Sequence, residues 1–590
     1  MLRQSDLSRR QFMRFAIGAV STSILAACQP APSATNVPPT NAPIAPAVAP
    51  TAAAPAQPAA TPQTTPPSAQ AASQVKPAAG GSKSNVPTYI AAQGPAPDYP
   101  GTASGVDPGF VKFPAQLTQS VHETPASGGD VNGMVLVATA LPAPADQNQG
   151  WQQLNKALGA SLVINMVPQT DYASRWGSVT AGGDLPDIMY VSIVPVLPNI
   201  QAFQKSQCAD LTPHLGGDAV KDYPNIANIN AASWRVVMLD GNVWGVPIAR
   251  SITGWPMYVQ QNLLDQIGAG PPRTTDDFTQ ICKALTKPDA NKWAIGVTND
   301  STTGPYSMLW FQGIFRAPNN WRLESGGKLV KDIETNEYRA ALEYVHGLVA
   351  AGYVSPDVIS NGDLNNSLFS GKIAMRGNAW NAYSGLYVEQ APKFNINIRT
   401  IPPFGFDGQP GTNLLGPGNF GYAVLKKAST DRVKELLRVM NYLAAPFGTQ
   451  EYMITKFGVK DLDYTFNDKG SPIFTDQGRA EMPGSPNLPW GYLATPPTVT
   501  FSVNQPDWGQ WGHAEQQRLI DVGVADPTYG QYSPTAASKG VSLDQLIFDR
   551  VSGIAAGRAP MSDLDQLVKD WRAQGGDTVR EELQQALARA

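Results

Sequence analysis

Between Gly133 and Val191, three short apolar runs alternate with two stretches of helical pattern, and that alternation admits few folds. Gly133-Met134-Val135-Leu136-Val137-Ala138 has the length and character of a buried parallel strand. A helix is expected around Trp151 to Leu158, a second strand over Leu162 to Val167 and a second helix from Tyr172 to Thr180. A third strand, Asp187 to Val191, follows a Gly-Gly-Asp-Leu-Pro turn. Parallel neighbours need a crossover, so strand, helix, strand, helix, strand means an α/β layer with covering helices. Further along, Thr274 caps a helix with acids in its first turn and an apolar face through Ile281, Ala284 and Leu285. Tyr338, Leu342, Val345 and Val349 form one helical face, as do Val433, Leu437, Met440 and Ala444. Ser562 and Asp565 open a capped helix bearing Leu564, Leu567, Val568 and Trp571. These stripes read as core packing.

The N-terminal region is organised differently. Ser8-Arg9-Arg10-Gln11-Phe12-Met13-Arg14 precedes an apolar run from Phe15 to Leu25 that is too short to span a bilayer. The arginine pair resembles a twin-arginine export signal, and Leu25-Ala26-Ala27-Cys28 resembles a lipobox whose cysteine is acylated. The alternative is an uncleaved signal anchor. Two or more acyl chains anchor stably where one does not, so residues 1–28 imply a body tied to a membrane through Cys28. Residues 29–84 are Pro, Ala, Thr, Ser and Gln with almost no charge and no aromatic ring; they cannot offset chain entropy and read as a disordered tether. At about 3.1 Å per residue in polyproline II, such a spacer reaches on the order of 150 Å. Residues 85–130 remain rich in Pro and Gly but carry Tyr89, Tyr99, Phe110 and Phe113, and read as a leader partly packed on the body.

Composition closes off several classes. With 43 basic and 47 acidic side chains, a net charge of −4 and no long Lys/Arg run, there is no electrostatic footprint for nucleic acid. Three cysteines cannot make a disulfide scaffold, and spacing does not say whether Cys208 and Cys282 pair. His122, His214, His346 and His513 are scattered without metal spacing, and no Gly-x-Ser-x-Gly elbow is present. Gly416-Pro417-Gly418-Asn419-Phe420-Gly421 matches a dinucleotide glycine pattern, but a strand and not a helix is expected at Tyr422-Ala423-Val424-Leu425.

A specific resemblance emerges from motifs in order. Gly182-Gly183-Asp184-Leu185-Pro186-Asp187-Ile188 is followed by Ala209-Asp210-Leu211-Thr212-Pro213, then by Asp240-Gly241-Asn242-Val243-Trp244-Gly245-Val246-Pro247 and Tyr258-Val259-Gln260-Gln261-Asn262-Leu263-Leu264-Asp265. Phe369-Ser370-Gly371-Lys372-Ile373-Ala374-Met375 and the terminal Trp571-Arg572-Ala573-Gln574-Gly575-Gly576-Asp577 complete the series. From Gly133 onward the chain resembles the extracellular solute-binding proteins of ABC importers, in the large lipoprotein subgroup that handles oligosaccharides. The resemblance implies a two-lobed, periplasmic-binding-protein-like α/β fold with a crossover-strand hinge and ligand in the cleft. Its expected organisation is residues 131–252 and 419–478 in the N-lobe, 253–418 in the C-lobe, and 479–590 mostly in the C-lobe. It implies no cofactor, a sugar or oligosaccharide ligand, ABC permease subunits as partners, and a monomer. Alginate-binding members carry a calcium loop, whereas Lys287-Pro288-Asp289-Ala290-Asn291-Lys292-Trp293 is too short and too poor in oxygen ligands, so no calcium is expected.

A neutral sugar needs flat apolar faces for its C–H surfaces and orienting polar groups for its hydroxyls. Trp255, Trp310, Trp380, Trp490, Trp508 and Trp511 fall in segments rich in Gly, Pro and Asn and read as loop residues. They either face the ligand or anchor one lobe on the other. Arg250, Trp255, Trp310, Asn378, Trp380, Phe420, Trp490 and Trp508 are the candidate ligand-binding residues; Arg250 and Arg175 come first should the ligand be acidic. Asp184 and Asp187 read as turn caps. No catalytic motif is visible. A surface glycoside hydrolase with paired carboxylates, or a carbohydrate-binding lipoprotein without a transport role, are the alternatives.

Overall fold

A computed structural model describes residues 85–589 except 138–139, 194–196, 198, 299–303, 358–360 and 484–487. The export signal, Cys28 and the tether lie outside the described residues. Among the described residues, no helix is long and apolar enough to cross a membrane.

The first lobe is built on a five-stranded sheet ordered Ser161–Pro168, Asp130–Val137, Ile188–Ser192, Asn419–Leu425, Val246–Ala249. The first three are parallel, as the alternating pattern predicts, while Asn419–Leu425 enters from far along the chain and runs antiparallel to both neighbours. The glycine-rich segment runs directly into that strand and not into a helix, so it cannot cradle a dinucleotide. The covering helix Gln149–Leu158 buries Trp151, Leu154 and Leu158 and is capped by Asn148, whose side chain accepts from the Trp151 amide at 2.8 Å. Asp187 is buried at the start of its strand. Burial alone would raise its pKa, but the Asn132 amide, Arg432 at 2.7 Å and Lys426 at 3.1 Å hold it below the ordinary carboxylate value. Asp187 therefore ties strand to helix, while Asp184 is exposed.

The second lobe carries a four-stranded sheet ordered Ile398–Thr400, Met257–Gln260, Ile373–Gly377, Trp293–Gly296. The helices Thr275–Leu285 and Asn336–Ala350 pack on it, capped by Thr274 and Thr335. On the first of these helices the buried face is Phe278, Ile281 and Cys282; Ala284 is exposed, one step off the expected stripe. The C-terminal helices Pro534–Ala555, Asp563–Trp571 and Asp577–Arg589 close the same core through Val551, Leu567, Trp571 and Leu583. Ser562 does not cap the middle one, because its backbone is already helical and its side chain makes no cap bond. Cys208 and Cys282 are free thiols buried in different cores, and burial pushes the Cys208 thiol up to about 12.

Two connections between the lobes run side by side. Past Ala249, the Arg250 amide donates to the Gly418 carbonyl, and the Gly416 amide donates back to Ile252, each at 2.9 Å. Gly254, at φ 78°, sits so close to the Leu414 carbonyl that a Cβ would lie 2.0 Å from its oxygen, so the two strands can approach only at a glycine.

Residues 85–128 pack on both lobes. Thr88 and Ile90 donate to Gly217 and Ala227 of the first lobe. The chain then reaches the second-lobe helix Trp508–Asp521, where Asp107 and Gln516 exchange two hydrogen bonds of 2.7 Å and His513 meets the Pro100 carbonyl at 3.0 Å. It returns to the first lobe through Phe110 and Phe113, which share an aromatic cluster with Phe447, and through Thr118, Ser120 and Val121, bonded to Gly448 and Glu451.

Candidate functional site

The cleft between the lobes starts from the first connection. Ile248 and Ala249 end a first-lobe strand, and Arg250 follows them into a cavity of about 190 Å³. Tyr452 and Lys456 on the helix Gln450–Phe457, Tyr492 from the short turn Pro489–Tyr492, and the segment Thr495–Val499 form one wall. Ser384 and Gly385 supply the opposing second-lobe wall from a single π turn, Tyr383–Tyr387, an irregularity that pushes backbone out of a helix. A second cavity of about 410 Å³ adjoins it and is walled by the leader, including Tyr89, Pro100 and Phe110. Both cavities share Arg250, Phe447, Thr498 and Val499.

Arg250 rests on an aromatic pedestal. Its guanidinium carbon lies 4.8 Å from the centre of the Phe420 ring, and Tyr492 stands 6.3 Å from Phe420 and 5.3 Å from Tyr190. The Tyr190 hydroxyl donates to the Phe420 carbonyl, fixing the strand that carries the ring. Burial lowers the Arg250 pKa. Lys456 is buried, and its ammonium donates to the Thr495 hydroxyl at 3.3 Å. Burial and the Arg250 charge push the Lys456 pKa down to about 8. Asp107 borders the adjoining cavity; burial pushes its carboxyl up to about 6 against the opposing hydrogen bonds from Gln516 and Thr498.

The eight candidates separate into groups. Arg250 and Phe420 come together beside the cleft. Trp255 lies on the first connection, half-buried against Gly416, its indole N–H enclosed without a hydrogen-bond partner among the described residues. Asn378 donates to the Tyr387 hydroxyl at 3.0 Å and accepts from the Ala379 amide, so both ends of its side chain are held within the second lobe. Trp380 and Trp508 are fully buried there, 5.4 Å apart, with Tyr383 4.5 Å from Trp508. Trp490 is buried in the first lobe, where its indole donates to the Thr455 carbonyl at 2.9 Å. Trp310 packs among Phe278, Phe311 and Phe404 of the second core. The loop placement expected for these rings is corrected, since Trp310 lies on the helix Met308–Ile314 and Trp508 and Trp511 on Trp508–Asp521. Arg175 is exposed on the helix Tyr172–Gly182.

Sequence reasoning missed Tyr452, Lys456, Tyr492 and the Thr495–Val499 segment. A usable signal existed: Tyr492-Leu493-Ala494-Thr495-Pro496-Pro497-Thr498 is an aromatic, proline-rich stretch that neither a helix nor a strand accounts for.

Two lobes, each with its own sheet and core, joined by paired connections around an open cleft, define a solute-binding architecture. Residues 136–446 match the family described as bacterial extracellular solute-binding protein, and the chain belongs to that family. It is 24% identical over 505 residues to lipoprotein LipO of Bacillus subtilis (strain 168), covering 80% of this chain and 95% of that one. It is also 24% identical over 466 residues to the polygalacturonan/rhamnogalacturonan-binding protein YtcQ of the same organism, covering 75% of this chain and 89% of the relative. Among solved structures, the N-glycan transport solute-binding protein NgtS of Streptococcus pneumoniae superposes with a TM-score of 0.57 at 14% identity, over 78% of this chain and 98% of its own. An extracellular solute-binding protein from Bifidobacterium longum subsp. infantis gives 0.59 at 14% identity, over 78% and 98%. These likenesses show that the two-lobed periplasmic-binding fold expected from the motif order is the fold of this chain.

Proposed function

We propose that this protein is the saccharide-capturing component of an ABC importer, exported and held at the outer face of the cytoplasmic membrane by acyl chains on Cys28. The interlobe cleft carries the reading: aromatic faces of Phe447, Tyr452 and Tyr492 stand beside the hydroxyls of Ser384, Thr495 and Thr498, the mixture a sugar ring requires. A relative named for polygalacturonan/rhamnogalacturonan binding, another named a lipoprotein, and a structural neighbour named for N-glycan transport support it. Closure of the lobes about the hinge encloses the ligand and presents a changed surface to permease subunits. The protein does no chemistry on its cargo and works as a monomer.

Titrating the purified full chain with a panel of plant, algal and host oligosaccharides should change tryptophan fluorescence and raise the melting temperature, with every ligand recovered intact. Release of shortened sugar would overturn the reading in favour of a hydrolase. In cells, Cys28→Ser should move the protein from the membrane fraction to the soluble one; unchanged membrane retention would overturn the lipid anchor.

A further inference from the structure

The charge of the cleft narrows its ligand. Among the described residues, Arg250 and Lys456 are the charged side chains that line the interlobe cavity, and no Asp or Glu lines it. In a chain with more acids than bases, that is an uneven distribution. Lys456 is withdrawn from bulk water at 4% exposure and Arg250 is half-buried; burial disfavours the charge of both, and the Arg250 charge further disfavours that of Lys456. Both also have protein partners, Thr495 for Lys456 among them. Holding two like charges in one desolvated crevice costs free energy that neutral residues of the same shape would not. An anion between them reverses the sign of that cost. A guanidinium presents a planar fork that matches a carboxylate, and an ammonium adds a point charge beside it. Phe420 packs against the guanidinium, 4.8 Å from ring centre to guanidinium carbon. Aromatic faces and hydroxyls on the same walls suit the pyranose ring that carries the acid.

We propose that the cleft selects oligosaccharides containing uronic acid residues, and that Arg250 and Lys456 together grip one uronate carboxylate. The proposal rests on the saccharide-binding reading above and adds the acid. The adjoining leader-walled cavity, which shares Arg250 with the first, offers a place for the neighbouring sugar residues. Lys456 sits one residue from the end of an eight-residue helix, so its position is set by backbone and not by a mobile loop.

The test titrates the purified full chain with galacturonate, mannuronate and glucuronate oligomers, each paired with its methyl ester of equal length, and with a sulfated neutral oligomer. At least one free acid should bind tighter than its own ester by about tenfold to a hundredfold, the worth of a charge-assisted hydrogen-bond pair. That preference should shrink as salt rises. It should also fall as pH climbs through about 8, because the free Lys456 ammonium loses its proton there while a bound carboxylate retains it. Lys456→Met keeps the apolar stem and should remove most of the preference; Lys456→Arg should restore it. Arg250→Lys, which keeps the charge but loses the fork, should weaken the acid more than the ester. Unchanged melting of the variants without ligand checks that they fold. Equal binding of acid and ester would overturn the uronate assignment and leave the saccharide reading standing. Tighter binding of the sulfated oligomer would overturn the carboxylate in favour of a sulfate ester. Failure of every saccharide would overturn both readings.

Discussion

Replacing Phe110 and Phe113 together by alanine lowers the stability of the full chain by about 5 kcal/mol, measured by urea denaturation. Each ring is nearly excluded from water, and a single buried Phe→Ala change costs about 3–5 kcal/mol. The double change costs less than twice that because both rings pack on Phe447, with centroids 4.7 and 5.1 Å away, and neighbours that share a partner are not additive. Against a net stability of about 5–15 kcal/mol for an ordinary domain, the loss is large. A change of less than 1 kcal/mol, the scale of an ordinary surface substitution, would show that residues 85–128 merely lie on the body.

The second large effect concerns Trp508. It is fully buried, stacked on Tyr383 at 4.5 Å and close to Trp380 and Trp511, so Trp508→Ala should cost about 3–5 kcal/mol. Its indole N–H is enclosed with no hydrogen-bond partner among the described residues, a state that itself costs about 1–3 kcal/mol. Trp508→Phe removes that donor while keeping a ring, and should therefore cost far less than the alanine change. Trp490→Phe makes the contrast, since it would strand the Thr455 carbonyl that the Trp490 indole now serves at 2.9 Å. Comparing the denaturation midpoints of the two phenylalanine variants checks the argument: Trp490→Phe should be the more destabilised. The reverse order would mean that the lost volume, and not the hydrogen bond, decides both.

The fold was more legible than the site, for reasons that differ residue by residue. Strand and helix positions from Asp130 to Ser192 follow a local period that needs no knowledge of the rest of the chain. The antiparallel strand Asn419–Leu425 could be read as a strand but not placed, because its partners, Ile188–Ser192 and Val246–Ala249, lie far back in the sequence. Motif order supplied the two lobes. Tryptophan positions misled: a Gly- or Asn-rich context suggests a loop, yet Trp508-Gly509-Gln510-Trp511-Gly512 is helical because Trp508 is buried in the second lobe with Trp511 packed against the same core, and tertiary packing outweighs propensity. Arg250 was legible because it follows a strand that leads out of one lobe. Lys456 was not, since a lysine near the end of an amphipathic helix looks like a solvated residue until the cleft is seen.

The leader's path over both lobes has a practical side. Anyone shortening the N-terminus to obtain a well-behaved sample should begin no later than Asn85, because Thr88 and Ile90 already make backbone bonds to Gly217 and Ala227. Starting at 129, the first residue before the opening strand, would strip away a wall of the larger cavity and leave Phe447 facing solvent. Affinities measured on so shortened a chain would describe a different vessel from the one the cell fills.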